Sequence, residues 1–315
     1  MVRTSAPQIE LRHLHRMFAD THAVNDVSFE VHAGEVFGYI GPNGAGKTTS
    51  MRILATLDEP TSGDALVDGF SVVDDPDRVR RRLGFMPDYF GTYQNVSVNE
   101  YLDFFARSYG LSGTERRRAI DYVMDFTQLD TLARKPIAGL SKGMKQRLCL
   151  GRTMIHDPSV LVLDEPAAGL DPRARIELRE MIARLADAGK AILISSHILT
   201  ELAEICSRVA ILEQGRLLAV GSVEEISARA QVRAEVRLRV LRDAEKMRSW
   251  LAKRSDVTEL DGQGDTIIFG HAGDRESEAA LLRAIVEAGF AVVEFGARHK
   301  SLEDVFLHVT EGRVQ

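Results

Sequence analysis

The nine residues Gly41-Pro42-Asn43-Gly44-Ala45-Gly46-Lys47-Thr48-Thr49 constrain this chain more than any other stretch. They fit the spacing G-x-x-x-x-G-K-[ST]. An apolar run before them, Glu35–Ile40, reads as a buried strand, and the pattern from about Lys47 to Leu57 reads as a helix. Glycines let such a loop turn its N–H groups inward onto an anion, and the helix behind it adds the positive end of its dipole. Lys47 offers a point charge to the β- and γ-phosphates, and Thr48 a hydroxyl to Mg²⁺. The combination predicts an α/β sheet carrying a nucleoside triphosphate site.

The rest of the chain supports a sheet fold with helical layers. Short apolar strands are expected at Leu83–Met86, Val160–Leu163, Ala191–Ser195, Val209–Leu212 and Leu217–Val220, the last two flanking a hairpin-like turn at Glu213-Gln214-Gly215-Arg216. From Val98 to about His156 the pattern is helical, and Pro172–Ala188 is a further helix closed by Gly189. A domain boundary falls near Gly221-Ser222, giving a first domain over 1–221 and a second over 222–315. The second reads strand 232–241, helix 243–254, two strands around Asp261–Gly264, helix 275–288 and strand 290–296. That β-α-β-β-α-β order suggests a small ferredoxin-like α+β domain, closed by a helix from about Leu302 to Val309.

Composition narrows the function classes. Lys+Arg 40 against Asp+Glu 46 leaves net −6, and residues 222–315 carry 14 basic against 17 acidic side chains, so neither part presents the basic stripe of a nucleic-acid binder. The longest stretches without a charge, Val36–Gly46 and Tyr89–Asn99, are 11 residues each, well short of the ~20 needed to cross a bilayer. The N-terminus has no apolar signal core. Cys149 and Cys206 lie far apart in apolar or helical contexts, pointing to a reducing compartment with free thiols.

Three further motifs carry chemistry. Val160–Leu163 delivers Asp164 and Glu165 to a strand end, where Asp164 suits a water-mediated hold on Mg²⁺ and Glu165 suits orienting or deprotonating an attacking water. Ser195-Ser196-His197 ends another strand, and His197 there can reach a γ-phosphate and support the attacking water. In Leu140-Ser141-Lys142-Gly143-Met144-Lys145-Gln146-Arg147, Ser141 can cap a helix whose N–H groups form a second anion site. A second anion site makes sense if it closes on a nucleotide held by another subunit.

In this order the motifs resemble the nucleotide-binding subunit of ATP-binding cassette (ABC) transporters, over about residues 8–221. LSKGMKQR looks like a variant of the family signature LSGGQ, with Lys142 and Met144 in place of Gly and Gln while Ser141 and Gly143 are kept. The resemblance implies a phosphate-loop (P-loop) NTPase domain with a helical subdomain at about 89–157. It also implies a head-to-tail dimer, a homodimer in the simplest case, with ATP and Mg²⁺ sandwiched between subunits. Ser141, Lys142, Gly143 and Met144 would meet the partner's ATP, Asp171 would communicate across the interface, and Phe18 would stack on adenine. Asp88 takes the place where the family usually has a Gln that reaches toward Mg²⁺.

Residues 85–109 hold eight of the 20 aromatics. Tyr101, Phe104, Phe105 and Tyr109 are spaced for one buried helical face, whereas Tyr89 to Tyr93 reads as an exposed docking surface. The resemblance implies that an integral-membrane permease, a separate polypeptide, docks near Tyr89–Val98. The tail Ser301-Leu-Glu-Asp-Val-Phe306 resembles that of bacterial exporter ATPases. The expected protein is then a cytoplasmic ATPase peripheral on the inner face of the membrane. A soluble ABC ATPase without transport and a small-molecule kinase are the alternatives, the latter leaving LSKGMKQR without a purpose.

Overall fold

The computed structural model describes residues 6–89, 91, 95–197, 202, 204–222, 225–226, 234–271 and 275–298. These form two compact units, Met1–Ser222 and Val223–Gln315.

The first unit is built on a six-stranded sheet. Its strands are β3 (Val36–Ile40), β6 (Leu83–Met86), β7 (Val160–Leu163), β8 (Ala191–Ser196), β9 (Arg208–Glu213) and β10 (Arg216–Gly221), in the order β10-β9-β3-β8-β7-β6. All neighbours are parallel except the β9–β10 hairpin, whose turn residues Gln214 and Gly215 both have positive φ, as a tight primed turn requires. Parallel strands covered on both faces are mostly apolar, and all four residues of β7 are fully buried. Each such side chain contributes about 1.5–3 kcal/mol. The consequence for function is positional. The C-terminal ends of β3, β8, β7 and β6 lie side by side on one edge, and those ends are followed by Gly41, His197, Asp164 and Asp88.

A second sheet of the same unit is antiparallel, in the order β2-β1-β4-β5, from β1 (Ile9–Phe18), β2 (Thr21–Val31), β4 (Ser62–Val67) and β5 (Phe70–Ser71). It shares one core with the parallel sheet and with α1 (Lys47–Leu54), where Phe29 stacks on Phe37 with ring centroids 5.0 Å apart. The residue pattern singles out no strand in this sheet, because β1 is bent by register shifts at three places and its polar residues do not alternate cleanly.

The helical stretch breaks into α3 (Val98–Ser108), α4 (Gly113–Phe126) and α5 (Lys142–Met154), with α2 (Pro76–Arg82) before β6 and α6 (Pro172–Asp187) after β7. Ser97 opens α3 with a full capping box to Glu100. The expected single buried aromatic face is corrected here. Tyr101 is buried and Phe105 half-buried, but Phe104 is 59% exposed, rotated to the edge of the face. Tyr109 lies beyond the helix end, 41% exposed, and stacks on His156 at 3.7 Å between ring centroids. Burial pushes the His156 imidazole pKa down to about 4.

Helix α5 is fastened to β6. The Arg152 guanidinium donates to the Phe85 carbonyl at 3.2 Å, and Thr153 Oγ1 donates to the same carbonyl at 3.3 Å. Gly84 permits this approach, since a Cβ there would fall 2.2 Å from the Thr153 carbonyl oxygen. Gly84→Ala should therefore lower stability by about 1–3 kcal/mol, read as a fall in Tm of about 2–12 °C for a unit of this size. An unchanged Tm would mean that the two elements separate without strain.

The second unit runs β11 (Ala234–Val240), α7 (Ala244–Leu251), β12 (Val257–Asp261), β13 (Thr266–His271), α8 (Arg275–Glu287) and β14 (Val292–Arg298). The four strands pair antiparallel in the order β12-β13-β11-β14. Val236, Leu238 and Val240 alternate inward against Met247, Leu251, Leu281 and Ile285. The Arg248 guanidinium closes the β12–β13 turn by donating to the carbonyls of Gly262 and Thr266 at 2.9 and 3.1 Å. The expected helix at Leu302–Val309 lies outside the described residues.

Candidate active site

Three strand ends and one loop supply the site. Strand β3 ends at Ile40, and the chain turns through Gly41–Gly46 into α1. Two glycines are required for steric reasons. A Cβ at Gly41 would fall 2.4 Å from the Leu212 carbonyl oxygen, and one at Gly46, which has φ +99, would fall 2.2 Å from that of Ala23. Gly46 also means that no side chain caps α1, so its first-turn N–H groups are left for an external acceptor. Lys47 is 6% exposed and is held in the loop by its own backbone, donating from Nζ to the Gly41 and Pro42 carbonyls at 2.6 and 3.2 Å. Burial lowers its pKa, and the charges of Glu165 and Asp164 oppose that.

The acidic pair follows β7. Asp164 is buried, its N–H donates to the Met86 carbonyl at 2.8 Å, and its carboxylate takes hydrogen bonds from the hydroxyls of Ser195 and Thr48. Burial raises its pKa, while those two hydroxyls pull it down and the neighbouring Glu165 and Asp88 charges raise it further. Glu165 adopts φ +49, an unusual left-handed conformation for a side-chain-bearing residue. Its carboxylate is clasped from both sides. Lys47 Nζ is 3.9 Å from Oε1, and His197 Nδ1 is 2.8 Å from Oε2. A carboxylate only accepts, so His197 carries the proton on Nδ1 in this pair.

Residues 43–49, Glu165 and His197 line one cleft of about 500 Å³, together with Phe18, Ala23, Asp88 and Ala168, while Asp164 lies buried behind it. Phe18 is 43% exposed at the cleft wall, with the Arg16 guanidinium 4.4 Å from its ring centroid. Residues 43–49, Asp88, Glu165 and His197 thus come together from segments more than 150 residues apart. Among the described residues no group of three or more His, Cys, Asp or Glu could hold a metal ion. The hard-oxygen donors present, Thr48, Asp164 and Asp88, fit Mg²⁺ only if phosphate oxygens and water complete its shell, which is the usual way this ion is bound.

The signature residues form a separate surface. Ser141 caps α5, its Oγ accepting from the Met144 N–H at 3.3 Å. Gly143 lets the start of α5 approach α6, where a Cβ would meet that of Ala174 at 3.0 Å. The Lys142 ammonium rests against Gly169, which has φ +66. Asp171 caps α6 by accepting from the Ala174 N–H at 3.0 Å, so its carboxylate is engaged within its own chain. Ser141, Gly143, Met144 and Asp171 share one shallow cavity of about 130 Å³. Tyr89 is 82% exposed, while Phe90, Tyr93 and Gln94 lie outside the described residues. No local pattern assigns Ser195 a role of its own, because only the pairing of β7 with β8 places it beside Asp164.

A loop between strand and helix with adjacent carboxylates on the parallel edge defines a P-loop NTPase with mixed α/β sheets. Residues 24–168 match the family described as ABC transporter. Over 99% of both chains the sequence is 34% identical to the Nod factor export ATP-binding protein I of Burkholderia thailandensis. Among solved structures, an ATP-binding subunit of an ABC transporter aligns at 31% identity and TM-score 0.66, covering 71% of this chain and 94% of that one. The cbiO1 protein of Clostridium perfringens, described as part of the ABC transporter complex cbiONQ, aligns at 28% and 0.65 over 72% and 93%. The chain belongs to the ABC transporter family, as an ATP-binding subunit. Members of that family are generally ATP hydrolases.

Proposed function

We propose that this protein hydrolyses Mg-ATP in a head-to-tail dimer to drive export through a separate membrane permease. The observation that carries the reading is the clasped Glu165 carboxylate at the mouth of the Lys47 loop, in one cleft with Thr48 and His197. Lys47 and the first-turn N–H groups of α1 bind the phosphate chain, and Phe18 stacks on adenine. Thr48 and Asp164 would hold Mg²⁺ together with water, with Asp88 in reach, and the ion would supply positive charge to the phosphates. Glu165 orients a water and takes its proton as the water oxygen bonds to the γ-phosphorus and the bond to the bridging oxygen of ADP breaks. Lys47 and His197 hold the Glu165 carboxylate in place. With Nδ1–H given to Glu165, His197 can donate to a γ-phosphate only from Nε2–H, which requires the imidazolium.

Ser141, Lys142, Gly143 and Met144 would close on the ATP of a second copy, with Asp171 beside them at the interface. Domain limits of 1–221 and 222–315, with the helical subdomain at about 89–157, fit this division of labour. The strand order β12-β13-β11-β14 supports a ferredoxin-like reading of the second domain. Export follows the names of the relatives, and among the described residues no helix is long and apolar enough to cross a membrane, in keeping with a separate permease that keeps this subunit on the inner membrane face.

The test is a pull-down of tagged Glu165→Gln protein with Mg-ATP from gently solubilised membranes. Recovery of an integral membrane protein is expected, with loss of at least about 10-fold when Tyr89, Phe90 and Tyr93 become Ala, as removal of aromatic anchors does at interfaces. Recovery of soluble partners alone would favour an ABC ATPase without transport.

A further inference from the structure

We infer that Ser195 is a positioning residue for hydrolysis, holding Glu165 and Asp164 in register through one buried hydroxyl. Strand β8 pairs with β7 so that Leu163 faces Ile194, which brings Ser195 alongside the turn that leaves β7. Ser195 is fully buried, out of reach of solvent. Its Oγ accepts from the Glu165 N–H at 2.9 Å and donates to Asp164 Oδ1 at 2.6 Å. A hydroxyl has one proton to give and lone pairs to receive, so serine does both at once, where alanine does neither and cysteine only weakly.

Glu165 needs this hold more than an ordinary residue would. Its φ of +49 is a conformation that L side chains rarely adopt, and it persists only where the surroundings over-determine it. The Ser195 hydroxyl fixes the Glu165 peptide N–H, while Lys47 and His197 fix the carboxylate. With the peptide anchored, the carboxylate reaches between those two side chains. Released, Glu165 can relax toward ordinary φ and swing its carboxylate away. The same hydroxyl ties Glu165 to Asp164, so the two acidic groups move as one unit. The anchoring acts on the acidic pair, whereas the bonds that seat the Lys47 ammonium, to the Gly41 and Pro42 carbonyls, do not involve Ser195.

The inference rests on Glu165 being the group that takes the proton from water, and the experiment separates the two. Purified full-length protein carrying Ser195→Ala, Ser195→Thr or Glu165→Gln, and the Ser195→Ala/Glu165→Gln pair, is assayed for steady-state ATPase activity and for equilibrium binding of a fluorescent ATP analogue. Ser195→Ala should lower kcat at least ~10-fold with KM and analogue affinity within about 3-fold of the parent, the pattern of a missing transition-state interaction. Ser195→Thr, which keeps the hydroxyl, should retain at least about a third of kcat. In the Glu165→Gln background the Ala change should cost less than about 3-fold, because residues acting as a unit are not additive.

If Glu165→Gln is inactive but Ser195→Ala turns over normally, the role of Ser195 is overturned and that of Glu165 stands. Near-normal turnover of Glu165→Gln overturns both. Full additivity in the pair, or a Thr variant as slow as Ala with ATP still bound, would make Ser195 a packing residue and overturn the inference. Should the Ala variant fail to fold by circular dichroism, Ser195→Cys keeps the volume, gives up the strong donor and reads the same loss of kcat. A Cys variant with parental kcat overturns the inference.

Discussion

Glu165→Gln should bind ATP at least as tightly as the parent and turn it over at least ~10²-fold more slowly. The change is nearly isosteric, so the backbone at φ +49 and its bond to Ser195 have no reason to shift. The amide cannot take a proton from water, which removes general-base assistance. Binding moves the other way, since the variant removes one negative charge from the cleft that receives the triphosphate. Single-turnover ATPase assays together with a binding titration check both halves. Turnover within a few-fold of the parent would remove Glu165 from the role, whatever its geometry.

Lys47→Ala should weaken ATP binding itself. The ammonium is fixed by the carbonyls of Gly41 and Pro42, so it meets the phosphates already oriented. A charge-assisted hydrogen bond is worth about 1.5–3 kcal/mol net, and each 1.4 kcal/mol is tenfold, so removing one from the ammonium to a phosphate should weaken affinity by about 10- to 150-fold. The substitution also strips Glu165 Oε1 of its cation 3.9 Å away, leaving His197 to hold that carboxylate alone. Turnover at saturating ATP should fall too, which separates this variant from a simple binding defect. An unchanged affinity in an equilibrium titration would sink the phosphate-loop assignment.

These two variants fail in different ways for a reason visible in the cleft. Lys47 is anchored to the loop that holds ground-state phosphates, whereas Glu165 belongs to the opposite wall with Ser195 and His197. The signature surface at Ser141 and Asp171 belongs to neither wall, and both of these side chains cap helices in their own chain. Their contribution to a second copy's ATP would therefore come from the helix ends they stabilise as much as from the side chains themselves.

Local chemistry was legible in the chain itself. A loop of glycines before Lys47, two carboxylates after Val160–Leu163 and a Ser before Lys142 each state their chemistry within a few residues, because phosphate cradles, strand ends and helix caps are short-range structures. The apolar strands Leu83–Met86 and Val160–Leu163 were equally plain, since a strand covered on both faces reads as a near-continuous apolar run. The antiparallel sheet was not, because β1 and β2 alternate imperfectly around register shifts. Nor was the exposure of Phe104, because helical spacing marks a face and not how much of it is covered. What tertiary structure alone decided is which distant groups meet. The order β3-β8-β7-β6 puts His197 and Ser195 beside Glu165, although 32 and 30 residues separate them in the chain. Strand pairing is a long-range choice made by the whole core, so the residue types at the site are written in the sequence and their contacts are written by the sheet.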